Sequence, residues 1–124
     1  MNGLLVKPTR GKGLGVFATS RFEKGDLIEC CRVIPMPRSE FNCTATCTLR
    51  NYLVEWDSKV AIPTGYGPFY NHSYQPNAII AKHFDLNEIH FIALTAILSY
   101  DEITFNYGGY PDCMDSMWFD VKEL

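Results

Sequence analysis

The residues of this chain that could carry out chemistry fall in three short segments. The first, residues 11–18 (GKGLGVFA), places glycine at positions 11, 13 and 15. Alternate glycines let a backbone approach a ligand closely and leave amides and carbonyls available to bind it. The spacing is not that of a dinucleotide-binding or Walker loop. A glycine-rich bend leading into an edge strand is an equally good interpretation, so this segment alone decides little.

The second segment, residues 69–77 (FYNHSYQPN), crowds Asn71, His72 and Ser73 directly after two aromatic residues. Burial of three polar side chains is costly unless each finds a hydrogen-bond partner. An asparagine amide both donates and accepts, so Asn71 suits a ligand that carries an ammonium and a carboxylate. Taken alone, the segment is better explained as a turn in which Asn and Ser bond their own backbone.

The third segment, residues 101–110 (DEITFNYGGY), ends a strand-like pattern with Tyr-Gly-Gly-Tyr. This arrangement places the phenol of Tyr107 at the end of a strand, with a backbone of high conformational freedom beyond it. Such a phenol could position a reacting group. The alternative is a packed aromatic ring whose hydroxyl points to water.

The elements that must position these segments belong to a chain of 124 residues, the size of one domain with a modest core. With 47% hydrophobic and 20% charged residues, the composition is that of a globular protein. The net charge of −3 argues against binding nucleic acid through its phosphates. No apolar run approaches the roughly 20 residues that span a bilayer, and the N-terminus lacks a signal-peptide core. We therefore expect an intracellular domain, cytoplasmic or nuclear, without direct nucleic-acid or membrane contact.

The chain has five cysteines, and this odd number argues against a disulfide framework. Cys43 and Cys47 have a spacing found in zinc sites, but no second pair or nearby histidine completes a tetrahedral set. Cys30 and Cys31 are adjacent in an apolar segment and are expected to point to opposite faces of a strand. We therefore predict core or surface thiols and no metal site.

Short apolar runs separated by turn signals predict a mainly β domain with few helices. Gly25 is expected to turn the chain with a positive φ, and residues 85–87 are expected to close a hairpin. Residues 39–51 and 112–119 carry weaker signals for two short helices. The predicted strands cover residues 4–7, 15–19, 27–33, 52–56, 59–62, 78–83, 89–93 and 102–104.

Taken in order, the three segments resemble the signature of SET-domain protein-lysine methyltransferases. Residues 13–18 (GLGVFA) resemble the family motif GxGVxA, residues 71–77 (NHSYQPN) the motif NHSxxPN, and residues 102–108 (EITFNYG) the motif E[LI]TxDYG. Residues 51–54 (NYLV) resemble a DYLF strand, and residues 22–26 (FEKGD) resemble an [FI]xKG[DE] turn. The match predicts a single SET domain over residues 1–124, without cysteine-rich pre-SET or post-SET zinc segments, like the minimal viral and bacterial forms.

The resemblance implies a β-clip fold of several small sheets with a C-terminal pseudoknot, in which the Tyr107 segment lies beside the Asn71-His72 segment. It also implies that S-adenosylmethionine and a lysine side chain enter a narrow channel from opposite faces. By this likeness Tyr107 is the catalytic residue. The cofactor-binding residues implied are Gly13, Leu14, Gly15, Tyr52, Asn71 and His72, and the residues implied to line the substrate channel are Phe105, Tyr52 and Tyr110.

The activity implied by the resemblance is methyl transfer from S-adenosylmethionine to the side-chain amine of a protein lysine, in a histone tail or in another protein. Such an in-line displacement needs alignment and a neutral amine, and no metal. Phe105 stands where the family uses Phe or Tyr, and its lack of a hydroxyl predicts methylation beyond the first methyl group. The sequence departs from the family's pattern at Pro68, Asn106 and Cys31.

The sequence leaves further interpretations of function and assembly open. A non-catalytic module that binds cofactor or peptide without turnover is the alternative of another class. The aromatic C-terminus, with Trp118 and Phe119, offers apolar surface for a homodimer that completes a substrate groove. Trp118 could cover the adenine of the cofactor, and packing against the C-terminal helix is an equally good interpretation.

Overall fold

The computed structural model describes residues 3–40 and 52–107, and in these ranges the chain is mainly β, as predicted. Two short 3₁₀ helices, Arg38–Glu40 and Gly67–Phe69, interrupt the strands. None of the helices in these ranges is long and apolar enough to cross a membrane. The strands are β1 (Leu4–Pro8), β2 (Leu14–Ala18), β3 (Leu27–Met36), β4 (Val54–Trp56), β5 (Lys59–Pro63), β6 (Asn71–His72), β7 (Ala78–His83), β8 (Glu88–Ala93) and β9 (Glu102–Phe105).

A four-stranded sheet in the order β1-β2-β9-β6 brings the three chemical segments together. β1 and β2 form an antiparallel hairpin, and the amide of Thr9 closes its turn by donating to the carbonyl of Gly13 at 2.7 Å. β9 pairs antiparallel with β2, and β6 pairs parallel with β9. The glycine-rich turn, the Asn-His segment and the strand before Tyr107 are therefore neighbours in one sheet.

A five-stranded sheet in the order β4-β5-β3-β8-β7 supplies most of the core. The long strand β3 lies at its centre, pairing with β8 through its first half and with β5 through its second half. β8 alternates half-buried and buried residues, so Ile89, Phe91 and Ala93 face inward. Cys30 is exposed and Cys31 is buried, which confirms that the adjacent thiols point to opposite faces.

Both predicted turns are confirmed. Gly25 has a φ of 89°, and its amide donates to the carbonyl of Ala93. Asn87 has a φ of 53° in the tight connection between β7 and β8, which form the predicted hairpin. Asparagine tolerates this left-handed conformation better than most residues, because its short polar side chain bonds locally.

The structure corrects two local details of the predictions. Tyr52 and Leu53 precede β4, which begins at Val54, so Tyr52 does not lie in a strand. Asn71 and His72, which suggested a turn when taken alone, form the short strand β6. Their amides and carbonyls find partners in β9, which lies far along the chain, so no local periodicity marks them. The helix predicted over residues 112–119 and most of the one predicted over 39–51 lie outside the described residues.

Candidate active site

The parallel pairing of β6 with β9 builds the centre of the site. Asn71 stands opposite Thr104, and His72 stands opposite Phe105. Beyond the end of β9, the amide of Tyr107 donates to Nδ1 of His72 at 2.9 Å. The adjacency of the Tyr107 and Asn71-His72 segments, which the family resemblance implied, is therefore present.

The side chain of Asn71 ties β6 to the glycine-rich turn. Its Nδ2 donates to the carbonyl of Leu14 at 3.0 Å and to Oε2 of Glu102 at 2.7 Å. Both of its N–H groups therefore have acceptors, and Oδ1 points away from them. A methyl group on Gly15 would lie 2.7 Å from Glu102 Oε2 and 3.0 Å from Asn71 Nδ2, so this contact requires glycine.

Glu102 contacts the candidate site, although the sequence analysis did not single it out. Its carboxylate accepts from Asn71 and also pairs with Nζ of Lys12, 3.1 Å away. Both charged side chains are shielded, with exposed fractions of 11% for Lys12 and 17% for Glu102. The only signal in the sequence was its place at the start of the third segment, where the family motif also begins with glutamate.

The amide of Asn77 holds β9 in register. Its Nδ2 donates to the backbone carbonyl of Glu102 at 2.8 Å, and its Oδ1 accepts from the amide of Thr104 at 2.9 Å. One side chain thus satisfies two backbone groups of β9 next to its pairing with β6. Ser73 makes the local turn, because its Oγ accepts from the amide of Gln75 at 2.9 Å. The last part of the second segment is therefore structural.

The hydroxyl of Tyr107 donates to the backbone carbonyl of Tyr70 at 2.6 Å. The residue is 38% exposed, so one side of it faces the surface while its hydroxyl points inward. Burial, followed by the nearby Glu102 and Tyr52, raises the pKa of the Tyr107 phenol above its usual value of 10.0. Tyr107 therefore remains a neutral phenol at physiological pH.

A continuous row of aromatic rings lies behind this hydroxyl. Tyr70 stacks on Phe91 with ring centroids 3.9 Å apart, and Phe91 meets Phe105 edge to face at 5.4 Å. Phe105 in turn lies 4.9 Å from the ring of Tyr107, which contacts His72 at 5.1 Å. Aromatic walls of this kind exclude water from a channel and contact the apolar stem of a lysine.

Glu29 holds the Tyr70 end of this row of aromatic rings. It is buried, and its carboxylate accepts from the hydroxyl of Tyr70 at 2.6 Å and from the amide of Tyr66 at 3.0 Å. Burial, followed by the charge of Glu29, raises the pKa of the Tyr70 phenol. Sequence analysis missed Glu29 because a single acidic residue in an apolar strand has no spacing signal. Through Tyr70 it positions the carbonyl that receives the Tyr107 hydroxyl.

The structure brings together most of the residues implied by the family resemblance. Tyr52 is among them. It lies outside the strands and close enough to Tyr107 to raise the pKa of that phenol. Tyr110, Trp118 and Phe119 lie outside the described residues. The residues assembled around β6 and β9 are Gly13, Leu14, Gly15, Asn71, His72, Phe105 and Tyr107.

Comparisons with known proteins agree with this arrangement. The family model of the SET domain matches residues 13–108. A histone-lysine N-methyltransferase of Schizosaccharomyces pombe, specific for lysine 37 of histone H3, is 29% identical over 119 residues, covering 94% of this chain and 77% of the relative. A solved structure from Plasmodium falciparum, of a protein assigned to the histone methyltransferases, superimposes with a TM-score of 0.70 at 30% identity, covering 89% of this chain and 96% of that one. The chain therefore belongs to the SET domain family, and it is a SET-domain protein-lysine methyltransferase.

Proposed function

We propose that this chain transfers a methyl group from S-adenosylmethionine to the side-chain amine of a lysine in a histone tail. The observation that carries the proposal is the junction of β6 and β9. There the Asn71 amide and the glycine-rich turn lie at one end of β9, and the Tyr107 phenol with its aromatic row lies at the other. One end suits a polar cofactor, and the other suits a lysine stem.

The residues present fit the methionine part of the cofactor. Asn71 uses both N–H groups on Leu14 and Glu102, which leaves Oδ1 as an acceptor for an ammonium. Gly13 has a φ of 74°, and a methyl group placed on it would meet no atom of the described residues within 4 Å. An open backbone therefore lies beside that amide. When bound, S-adenosylmethionine supplies a methyl group activated by a sulfonium.

The cofactor-binding set we propose rests on these neighbours. The backbone of Gly13, Leu14 and Gly15 lines the cofactor together with the Asn71 amide. His72 contributes its backbone, and Tyr52 packs beside Tyr107 at the wall of the channel. Glu102 favours a cation near Asn71, although its ion pair with Lys12 offsets part of its charge.

Tyr107 acts as a positioning phenol rather than as a base. Its hydroxyl donates to the carbonyl of Tyr70, and a phenol oxygen that donates in this way can also accept from the lysine amine. Because burial raises the pKa of this phenol, ionisation at physiological pH is disfavoured further. Desolvation between aromatic rings lowers the pKa of the lysine amine, so the lysine releases its proton to water before the methyl group is transferred. Alignment of amine and methyl can account for about 7–11 kcal/mol of the barrier at the upper end.

Phe105 determines how many methyl groups the channel accepts. The residue is buried, its ring lies between Phe91 and Tyr107, and it carries no hydroxyl to restrain a partly methylated amine. We therefore expect dimethyl or trimethyl lysine at exhaustive reaction, and less of it in Phe105→Tyr. Mass spectrometry that finds only monomethyl product from the unaltered chain would contradict this.

The histone substrate is proposed because the fission-yeast relative carries out this reaction on histone H3. A tail in extended conformation can add to a sheet edge through main-chain hydrogen bonds, while the channel selects lysine. Labelled methyl transfer to core histones and to a cell lysate tests this. Label on other lysate proteins, with none on histones, would retain the reaction and overturn the histone assignment.

Two variants separate the proposed roles. Tyr107→Phe should lower turnover by about 10²-fold or more, the range for removing a positioned group, while cofactor affinity changes little. Asn71→Ala should weaken cofactor binding, measured by calorimetry, by about tenfold or more because it removes the proposed ammonium acceptor. Circular dichroism checks that both fold. Full label transfer by Tyr107→Phe would refute the role given to that tyrosine.

A further inference from the structure

A second group of chemically active side chains lies on the outer face of the five-stranded sheet. Cys30 in β3 stands directly opposite His90 in β8, and Glu88 lies two residues from His90 on the same face. One donor atom from each of these three residues lies within 4.8 Å of the other two. Cys30 is distant in sequence from Glu88 and His90, so the spacing of the three residues gave no sign of the cluster, and the sequence analysis predicted no metal.

The cluster is already preorganised by the strand pairing and by its own contacts. Nε2 of His90 lies 3.0 Å from Oε1 of Glu88. The ring of His83, which stands opposite Glu88 in β7, lies against the ring of His90 with centroids 4.1 Å apart. Three paired strands thus fix the backbone beneath all of these side chains, and only their outermost torsions remain to adjust.

We propose that Cys30, Glu88 and His90 form a site for a divalent transition metal ion, with Zn²⁺ as the fitting ion. A thiolate, an imidazole and a carboxylate are the ligand types of zinc, whereas Mg²⁺ and Ca²⁺ prefer oxygen alone. In a tetrahedral zinc site the donor atoms lie roughly 3.3–3.8 Å apart, given metal–ligand bonds of about 2.0–2.3 Å. Donors within 4.8 Å reach that spacing by small side-chain rotations. The fourth position is left to water.

The site is separate from the methyl-transfer centre. Cys31 and Phe91, the next residues along β3 and β8, are buried on the opposite face of the sheet, where Phe91 stacks on Tyr70. The inference therefore does not depend on the proposed function. Arg32 faces the cluster, since it stands opposite Glu88 across the β3–β8 pair, and its positive charge opposes the binding of a metal ion.

Binding of Zn²⁺ to the whole 124-residue chain, measured by calorimetry, tests the proposal directly. A background with Cys43→Ser, Cys47→Ser and Cys113→Ser excludes binding by the thiols outside the described residues. In that background we expect one equivalent of Zn²⁺ at micromolar affinity or tighter. We also expect a rise in the thermal unfolding midpoint on adding Zn²⁺, because an ion that binds only the folded state stabilises it. Absence of Zn²⁺ binding at micromolar concentrations would overturn the proposal.

Ligand variants and one matched control identify the donors. Cys30→Ser, Glu88→Gln and His90→Gln should each weaken Zn²⁺ binding by about tenfold or more. Arg32→Gln changes the same face and removes the opposing cation, so it should bind Zn²⁺ at least as tightly as the background. Substituting Co²⁺ should give a thiolate-to-cobalt charge-transfer band that Cys30→Ser abolishes. A band that persists in Cys30→Ser, or equal affinity in all four variants, would refute the assignment.

Discussion

The two ends of β9 are held by different kinds of interaction, although the strand is only four residues long. At its start, Glu102 is surrounded by polar groups: the amide of Asn71, the ammonium of Lys12 and the amide of Asn77 on its backbone. Beyond its end, Tyr107 rests on aromatic rings and places its hydroxyl on the carbonyl of Tyr70. The polar end is held by hydrogen bonds with fixed directions, whereas the packing of the aromatic end depends on the shape and volume of its rings.

This difference predicts different consequences for substitution. A hydrogen-bonded cluster of side chains tolerates no change of donor into acceptor, because each buried group left unpaired costs about 1–3 kcal/mol. Packed rings tolerate small changes of shape but transmit displacement to their neighbours. Substitutions at the polar end should therefore alter cofactor binding first, and those at the aromatic end should alter turnover first.

Gly15→Ala should give the largest effect on the polar end. The added methyl would lie 2.7 Å from both Glu102 Oε2 and Thr9 Cγ2, and 3.0 Å from Asn71 Nδ2. Overpacking of this kind costs about 1–3 kcal/mol and here also displaces the amide that we propose to bind cofactor. Urea unfolding should show the loss of stability, and calorimetry should show at least a tenfold weaker cofactor affinity. Unchanged cofactor binding would contradict the proposal that Gly15 lies in the cofactor site.

Glu29→Gln tests the aromatic end. The amide that replaces the carboxylate can still accept from Tyr70, but its NH₂ group then faces the amide of Tyr66, so one donor loses its acceptor. We expect a loss of about 1–3 kcal/mol in the free energy of unfolding. Turnover should fall more than cofactor affinity, because Tyr70 carries the carbonyl that holds Tyr107.

The matched control for this substitution is Glu23→Gln, which changes an exposed glutamate paired with Arg21. It should leave both stability and turnover close to those of the unaltered chain, because exposed ion pairs contribute little. A Glu29→Gln variant that weakens cofactor binding as strongly as turnover would contradict the division between the two ends of β9.

The same division explains what the sequence could predict. Period-two alternation and turn residues located eight of the nine strands to within a few residues, because those signals are local. The resemblance of the three motifs to the family also implied that the Tyr107 segment lies beside the Asn71-His72 segment, as the hydrogen bond between Tyr107 and His72 confirms. β6 was not predicted, because its two residues form a strand only by pairing with β9, which is distant in sequence.

The residues that support Tyr107 were harder to predict than Tyr107 itself. Tyr107 stands in a distinctive motif, but the roles of Glu29 and Glu102 depend on which side chains reach them through the fold. Asn77 lay in a recognised motif, but its two hydrogen bonds to the backbone of β9 could be predicted only if the register of the strands were known. Partners brought together by tertiary contacts leave no periodic trace in a sequence.

Gly13→Ala, with Gly25→Ala as its control, tests whether the open side of the glycine-rich turn binds the cofactor. Both glycines have a positive φ, 74° and 89°, and a methyl on either would meet no described atom within 4 Å. Each substitution should cost about 1–2 kcal/mol in stability for the left-handed backbone. Only Gly13→Ala should also weaken cofactor binding, because its methyl enters the space proposed for the methionine part. Equal cofactor affinity in the two variants would remove Gly13 from the site.

The smallest expected effect concerns pH and distinguishes a positioning phenol from a base. Burial first, and Glu102 second, raise the pKa of Tyr107 above 10.0, so the folded chain favours the neutral phenol. Its contribution to stability is fully present below pH 10 and is lost as the pH rises from 10 through the folded pKa. From about pH 7 to about pH 10, turnover should rise as the lysine loses its proton, with no fall due to Tyr107. Tyr107→Phe should show the same profile at a lower level. An inflection below pH 10 that this variant abolishes would instead make Tyr107 the group that accepts the proton.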